Sequence, residues 1–177
     1  CRREYPRHTY HMFMVAVDRH SLELLKQGIR DTYAPVDVID FWPIPMCYCL
    51  MRRSGTVTGV VEEDAMHLWL WWNDICIEES IVPITGSDIS EAMERLESRL
   101  QEFGIDEIQG IRMYGLDTLS DEERTDMEEI ISTYGENEYI PLLFLGRGRN
   151  RCKKGQLDWD MAIGMAARGL KWIGLGW

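Results

Sequence analysis

Three features of the sequence predict an α+β domain with a mostly antiparallel sheet. Residues 46–80 hold four short segments rich in branched and aromatic residues, separated by turn residues, which is the pattern of a four-strand meander. Residues 88–103 and 120–134 place apolar side chains at helical spacing behind clear capping signals. The order is β-α-β, the meander, then α-β-α-β-α, and the meander breaks the regular alternation of strand and helix that a doubly wound α/β fold would need throughout. With 177 residues and 45% apolar content, a single domain over 1–177 with one core is expected, and about four helices should pack on its sheet.

The elements follow in order. Residues 8–17 (HTYHMFMVAV) are aromatic and branched, and predict a strand. Beyond them, Asp18 or Ser21 can cap a helix in which Leu22, Leu25 and Ile29 share a face; Gly28 weakens that helix and Pro35 stops it. Residues 36–42, bracketed by Pro43 and Pro45, predict a short edge strand or an extended connector. The meander is expected as strands 46–52, 56–61, 66–72 and 75–80, with turns at Ser54-Gly55, Glu62-Glu63-Asp64 and Asn73-Asp74. Its third strand is apolar on both sides, with His67, Trp69 and Trp71 on one and Leu68, Leu70 and Trp72 on the other. A strand of that kind is central and covered on both faces.

In the next segment Asp88 and Glu91 have capping-box spacing. There Ile89, Ala92, Met93, Leu96, Leu100 and Phe103 form a stripe, and Gly104 suits the helix end. A strand over 108–114 is interrupted by Gly110. The capping box Ser120-Asp121-Glu122-Glu123 opens a helix with Met127, Ile130, Ile131 and Tyr134 inward and Gly135 at its end. Residues 139–145 predict a strand, and 146–155 (GRGRNRCKKG) a basic loop. A last helix over 157–170 should turn Trp159, Ala162, Ile163, Ala166 and Leu170 inward.

Charge limits the functions. Residues 1–60 carry 8 Lys/Arg against 6 Asp/Glu, residues 61–145 carry 4 against 22, and residues 146–177 carry 7 against 2. A middle segment at −18 repels nucleic acid and anionic membrane within about a Debye length, ~8–10 Å, so only the two ends could meet phosphate. No apolar run approaches the ~20 residues a membrane span needs. The first residues are basic with no apolar segment of signal-peptide type behind them. The chain begins at Cys1 and not at Met, consistent with a trimmed start or a missing upstream segment. Five cysteines in no regular spacing fit an intracellular, reducing compartment better than a disulfide scaffold.

No cofactor or metal is expected. The phosphate-loop, nucleophile-elbow and HExxH patterns are missing, and His8 and His11 would face opposite sides of a strand. Asp18 and His20 sit past a strand end with no nucleophile near them in sequence. Cys47 and Cys49 would share one strand face near Cys76 and His67, but an i, i+2 pair fits zinc poorly, and buried free thiols explain them. His67, inside an apolar strand, is either a packed core histidine or a site residue.

The sharpest local signal is the basic loop, where Arg147, Arg149, Arg151, Lys153 and Lys154 fall within eight residues. It could grip phosphate, pair with acidic helices of this chain or a second copy, or lie solvated. The expected function is therefore a non-enzymatic protein–protein interaction, with a homo-oligomer among its forms. Aromatics at 41–42, 69–72 and 172–177 would supply hot spots. The alternative is a nucleic-acid or phosphate-ligand binding protein, or an enzyme on that ligand, with the 147–154 loop on phosphate and Trp42 or Trp69 offering a stacking face. A third is an acidic inhibitor that imitates nucleic acid.

Overall fold

The computed structural model describes residues 16–31, 42–48, 54–134 and 156–172. The strands expected at 8–17 and 139–145 and the basic loop lie outside these residues wholly or nearly so, as does most of the 36–42 connector. The protein is an α+β domain. Its elements run α1 (Arg19–Arg30), α2 (Ile44–Cys47), β1 (Thr56–Glu62), β2 (Ala65–Trp72), β3 (Ile75–Pro83), α3 (Gly86–Gln101), β4 (Gly110–Tyr114), α4 (Asp121–Tyr134) and α5 (Gln156–Trp172). The strands form one sheet in the order β3-β2-β1-β4. β1 pairs antiparallel with β2, and β2 with β3, while β4 joins β1 in parallel after the crossover through α3.

Two features of the expected meander are corrected. Its first strand, 46–52, is not one over the residues described: Met46 and Cys47 belong to α2, and Tyr48 caps it. Proline explains the difference, because Pro45 lies in the first turn, where its fixed φ suits a helix and its missing N–H costs nothing. The sheet is also mixed, since β4 adds a parallel edge to the three-strand meander.

The hairpins follow their turn residues. Asn73 (φ 47°) and Asp74 (φ 67°) both take the left-handed conformation that a two-residue turn matching strand twist requires. A bulge at Leu70/Trp71 shifts the β2–β3 register, so Leu70 faces Glu78 and Trp71 faces Cys76. Ile77 and Glu78 consequently both serve the α3 side, Ile77 in the core and Glu78 beside Arg99.

Two apolar layers result. The helical face of the sheet, with Val57, Met66, Leu68, Leu70, Ile111 and Met113, packs on Ile89, Ala92, Met93, Leu96 and Leu100 of α3 and on Met127 and Ile131 of α4. Gly59 is needed here for close approach: a Cβ would lie 2.5 Å from Met113 Sδ and 2.9 Å from Leu68 Cδ2. The opposite, tryptophan face buries Val60, Trp69, Trp71 and Tyr114 under Met46 and Cys47 of α2, with Leu157 and Met161 of α5 against them.

α1, α3 and α4 carry local side-chain caps. Asp18 Oδ2 accepts from the Ser21 N–H at 2.7 Å, so Asp18 caps α1. Thr85 caps α3 and exchanges hydrogen bonds with Asp88, placing that cap three residues before the expected one. Ser120 and Glu123 form the expected reciprocal box, with Glu123 Oε2 accepting from the Ser120 N–H at 3.0 Å. Among the described residues no helix is long and apolar enough to cross a membrane.

Candidate functional site

The tryptophan face is where polar chemistry, aromatic area and incomplete cover meet. Strand register sets its side chains in rows. One row is Cys76–Trp71–Thr56, the next Glu79–Trp69–Thr58–Arg112, and the next Ile81–His67–Val60–Tyr114. Both buried indoles find acceptors, as amphipathic rings must when desolvated. Trp71 Nε1 donates to Thr58 Oγ1 at 2.8 Å, and Trp69 Nε1 donates to Glu79 Oε1 at 3.0 Å.

At the β4 side, the row ends in a buried ionic cluster. Arg112 Nη2 donates to Asp160 Oδ2 at 2.9 Å, and Tyr114 Oη donates to the same oxygen at 2.7 Å. Arg112 and Asp160 are 6% and 7% exposed, so each charge is stabilised by the other away from solvent. The Arg112 guanidinium also lies 5.2 Å from the Tyr114 ring centre. Burial, and after it the Asp160 carboxylate, raise the Tyr114 phenol well above its ordinary range and keep it a donor. Because Asp160 belongs to α5, the cluster ties the C-terminal helix to the sheet.

At the β3 side the cover runs out. Trp42, just before α2, meets Trp69 edge-on with ring centres 5.8 Å apart and planes at 85°, and remains 45% exposed. His67 lies 5.8 Å from the same indole, and its Nε2 is 3.7 Å from Glu62 Oε2. Its cross-strand neighbour Ile81 is 59% exposed.

Of the residues expected to form a site, Trp42 and His67 are brought together around Trp69. Arg147, Arg149, Arg151, Lys153 and Lys154 lie outside the described residues. Trp69 is 2% exposed and Trp71 fully buried, so neither offers a stacking face, and of that segment only the hairpin end, Trp72, is half-exposed. Cys47 sits buried in α2 and not on a strand, and Cys76 is a free thiol on β3. Burial pushes the Cys76 thiol up to about 12. Among the described residues no group of three His, Cys, Asp or Glu side chains is placed to hold a metal.

The ionic cluster was missed in the sequence because α5 was oriented by its apolar residues alone. Its inward positions are Leu157, Asp160, Met161 and Gly164, while Ala162 and Ala166 face solvent. A signal was available: Arg112 stands inside the apolar strand Gly110–Tyr114, and a buried arginine requires a carboxylate from elsewhere. Comparison of the chain with protein-family models, with curated proteins and with solved structures gave no match.

Proposed function

We propose that this is a non-enzymatic interaction protein that docks a basic protein surface on its α3–α4 layer, a second copy's basic 147–154 segment being one such surface. The observation that supports this is the one-sided charge of that layer. α4 exposes Asp121, Glu122, Glu123, Asp126, Glu128 and Glu129, and α3 adds Glu91 and Glu94. The arginines of the two helices are engaged locally: Arg124 with Asp121, Arg99 with Glu102 and Glu78, and Arg95 with Ser80. What is left over is a net negative surface, which steers a cationic partner and sets its orientation.

Sedimentation velocity tests the reading across protein concentration, at low salt and at about 1 M salt, where the Debye length is ~3 Å. Self-association at low salt, lost at high salt and lost in a Asp126→Lys/Glu129→Lys variant, is the expected result. A monomer under every condition, together with no capture of a peptide of sequence 146–155, overturns it.

A second reading, nucleic-acid binding through 147–154, is favoured by the five positive charges in eight residues. Trp42 is the stacking residue it would use, Trp69 being buried. Fluorescence anisotropy with a labelled single-stranded oligonucleotide separates the two: no binding at low salt removes this second reading.

A further inference from the structure

We infer that the uncovered end of the tryptophan face is a second docking surface, specific for a cationic protein segment that lays an arginine or lysine against Trp42. This surface is on the opposite side of the sheet from the α3–α4 layer and does not rest on that layer's role.

The geometry comes from where α2 and α5 stop. They cover Trp71, Trp69 and Tyr114, but the β3 side of the Tyr114 row and the β1–β2 hairpin end lie beyond them. There Ile81, Pro83 and Glu62 are exposed, and Ala65 and His67 half-exposed, on the same side of the sheet. Trp42 is linked to this strip through Trp69, whose ring both it and His67 approach at 5.8 Å. Its ring is fixed from one side by the edge-on contact with Trp69, so ordering it for a partner costs little side-chain entropy. A half-exposed indole beside apolar side chains, inside a polar rim, is the composition of an interface hot spot.

The charge of the rim selects the occupant. The chain contains no Lys or Arg between Arg53 and Arg95, so the three-strand meander carries acids and no permanent cation. Glu62 is 53% exposed and flanks His67. Glu63 and Asp64 occupy the adjoining turn, and Glu79, exposed, bonds Trp69 through one carboxylate oxygen. A guanidinium or ammonium within ~6 Å of the Trp42 ring would meet an indole face next to Trp69, whose Nε1 is held by the Glu79 carboxylate and whose other neighbour, His67, is flanked by Glu62. An anionic segment would face repulsion there, and a purely apolar one would leave the acids to be desolvated without a partner.

The test uses the full chain and three synthetic probes, tetra-arginine, tetra-lysine and tetra-glutamate. Binding is followed by tryptophan emission and by the imidazole NMR signals of His67. Tetra-arginine is expected to bind best and tetra-glutamate not at all. Trp42→Ala should weaken tetra-arginine binding ~2- to 30-fold, the range a cation–π contact supports. Because that variant disturbs the Trp69 contact, a Glu62→Gln/Glu79→Gln variant provides a second arm. It keeps the acceptor for Trp69, leaves exposed positions otherwise intact, and should weaken binding in the same direction. Four results overturn the inference. One is no tetra-arginine binding at low salt, and another is binding unchanged by both variants. The third is binding abolished instead by Asp126→Lys/Glu129→Lys, which would place the peptide on the helical layer. Self-association lost in Trp42→Ala but no peptide binding would make the occupant a second copy and equally overturn it.

Discussion

α5 packs on α2 and joins the sheet through one buried carboxylate. Asp160 is buried, accepts from both Arg112 and Tyr114, and sits 48 residues from its arginine in sequence. Removing one member of such a pair strands the other charge in a low-dielectric setting, which costs ~3–5 kcal/mol. Replacing both with apolar residues of similar volume removes the stranded charge as well. Asp160→Ala is therefore expected to lose ~3–5 kcal/mol in urea unfolding, and an Arg112→Met/Asp160→Leu variant to lose less than Asp160→Ala alone. Equal losses for the two would assign the effect to helix packing and not to charge. Cys76 presents the opposite case, a nucleophile disabled by its surroundings. With its thiol pushed up to about 12 by burial, almost no thiolate exists near pH 8, and thiolate is the reactive form. Iodoacetamide should label Cys76 slowly in the native protein and readily in denaturant, as read by peptide mass spectrometry. Rapid native labelling would contradict that burial.

At the scale of elements, caps and close packing carry the predictions. Glu123 closes the α4 box, and its carboxyl is held below the ordinary range first by the Ser120 hydroxyl and then by the Ser120 N–H. Its depressed folded value means its contribution is complete above the unfolded carboxylate range, about pH 4.3, and is lost as pH falls through the folded value. The stability difference between the protein and Glu123→Gln should accordingly be widest above about pH 5 and narrow towards pH 3 in denaturant titrations. A constant difference would indicate that charge plays no part in the cap. In the sheet, Gly59→Ala drives a Cβ into Met113, and overpacking of this kind costs ~1–3 kcal/mol. A Gly59→Ala/Met113→Val variant should recover part of that loss, and purely additive losses would remove the steric explanation.

These elements also show what the sequence makes legible. β2 was readable as a covered central strand because both its faces are apolar, and the α3 stripe because five apolar residues recur on one side. α2 was not, because Met46-Cys47-Tyr48 looks like a strand unless Pro45 is weighed as a helix-start residue. The α5 orientation was not, because it depends on an ion pair to β4 that no local pattern contains. For the candidate site, Trp42 and His67 were legible as residues. Their meeting at Trp69 was not, since it comes from strand register and from the chain's path into α2.

For the whole molecule, the sign of the charge separates two responses to salt. Residues 61–145 hold 22 acids and 4 bases, and ten of those acids lie on α3 and α4, which pack side by side. Tyr134, at the end of α4, registers the crowding: burial raises its phenol most, and Glu94 and Glu97 of α3 add to the rise. Like charges gathered this way repel one another in the folded state, where they are closer than in the unfolded chain. The buried Arg112–Asp160 pair, by contrast, is little affected by ions in solution. Added sodium chloride should then screen the repulsion and raise the melting temperature between low salt and about 0.3 M. Over the same range, attachment of any cationic segment to either face should weaken. Opposite slopes are expected from one sample, with calorimetry reading stability and peptide titration reading binding. If the melting temperature falls with salt instead, attractive surface pairs outweigh the repulsion, and the α3–α4 layer is neutralised by the protein itself. A layer already neutralised would have no excess charge to offer a partner, so that single slope decides whether the acidic surface is available for docking.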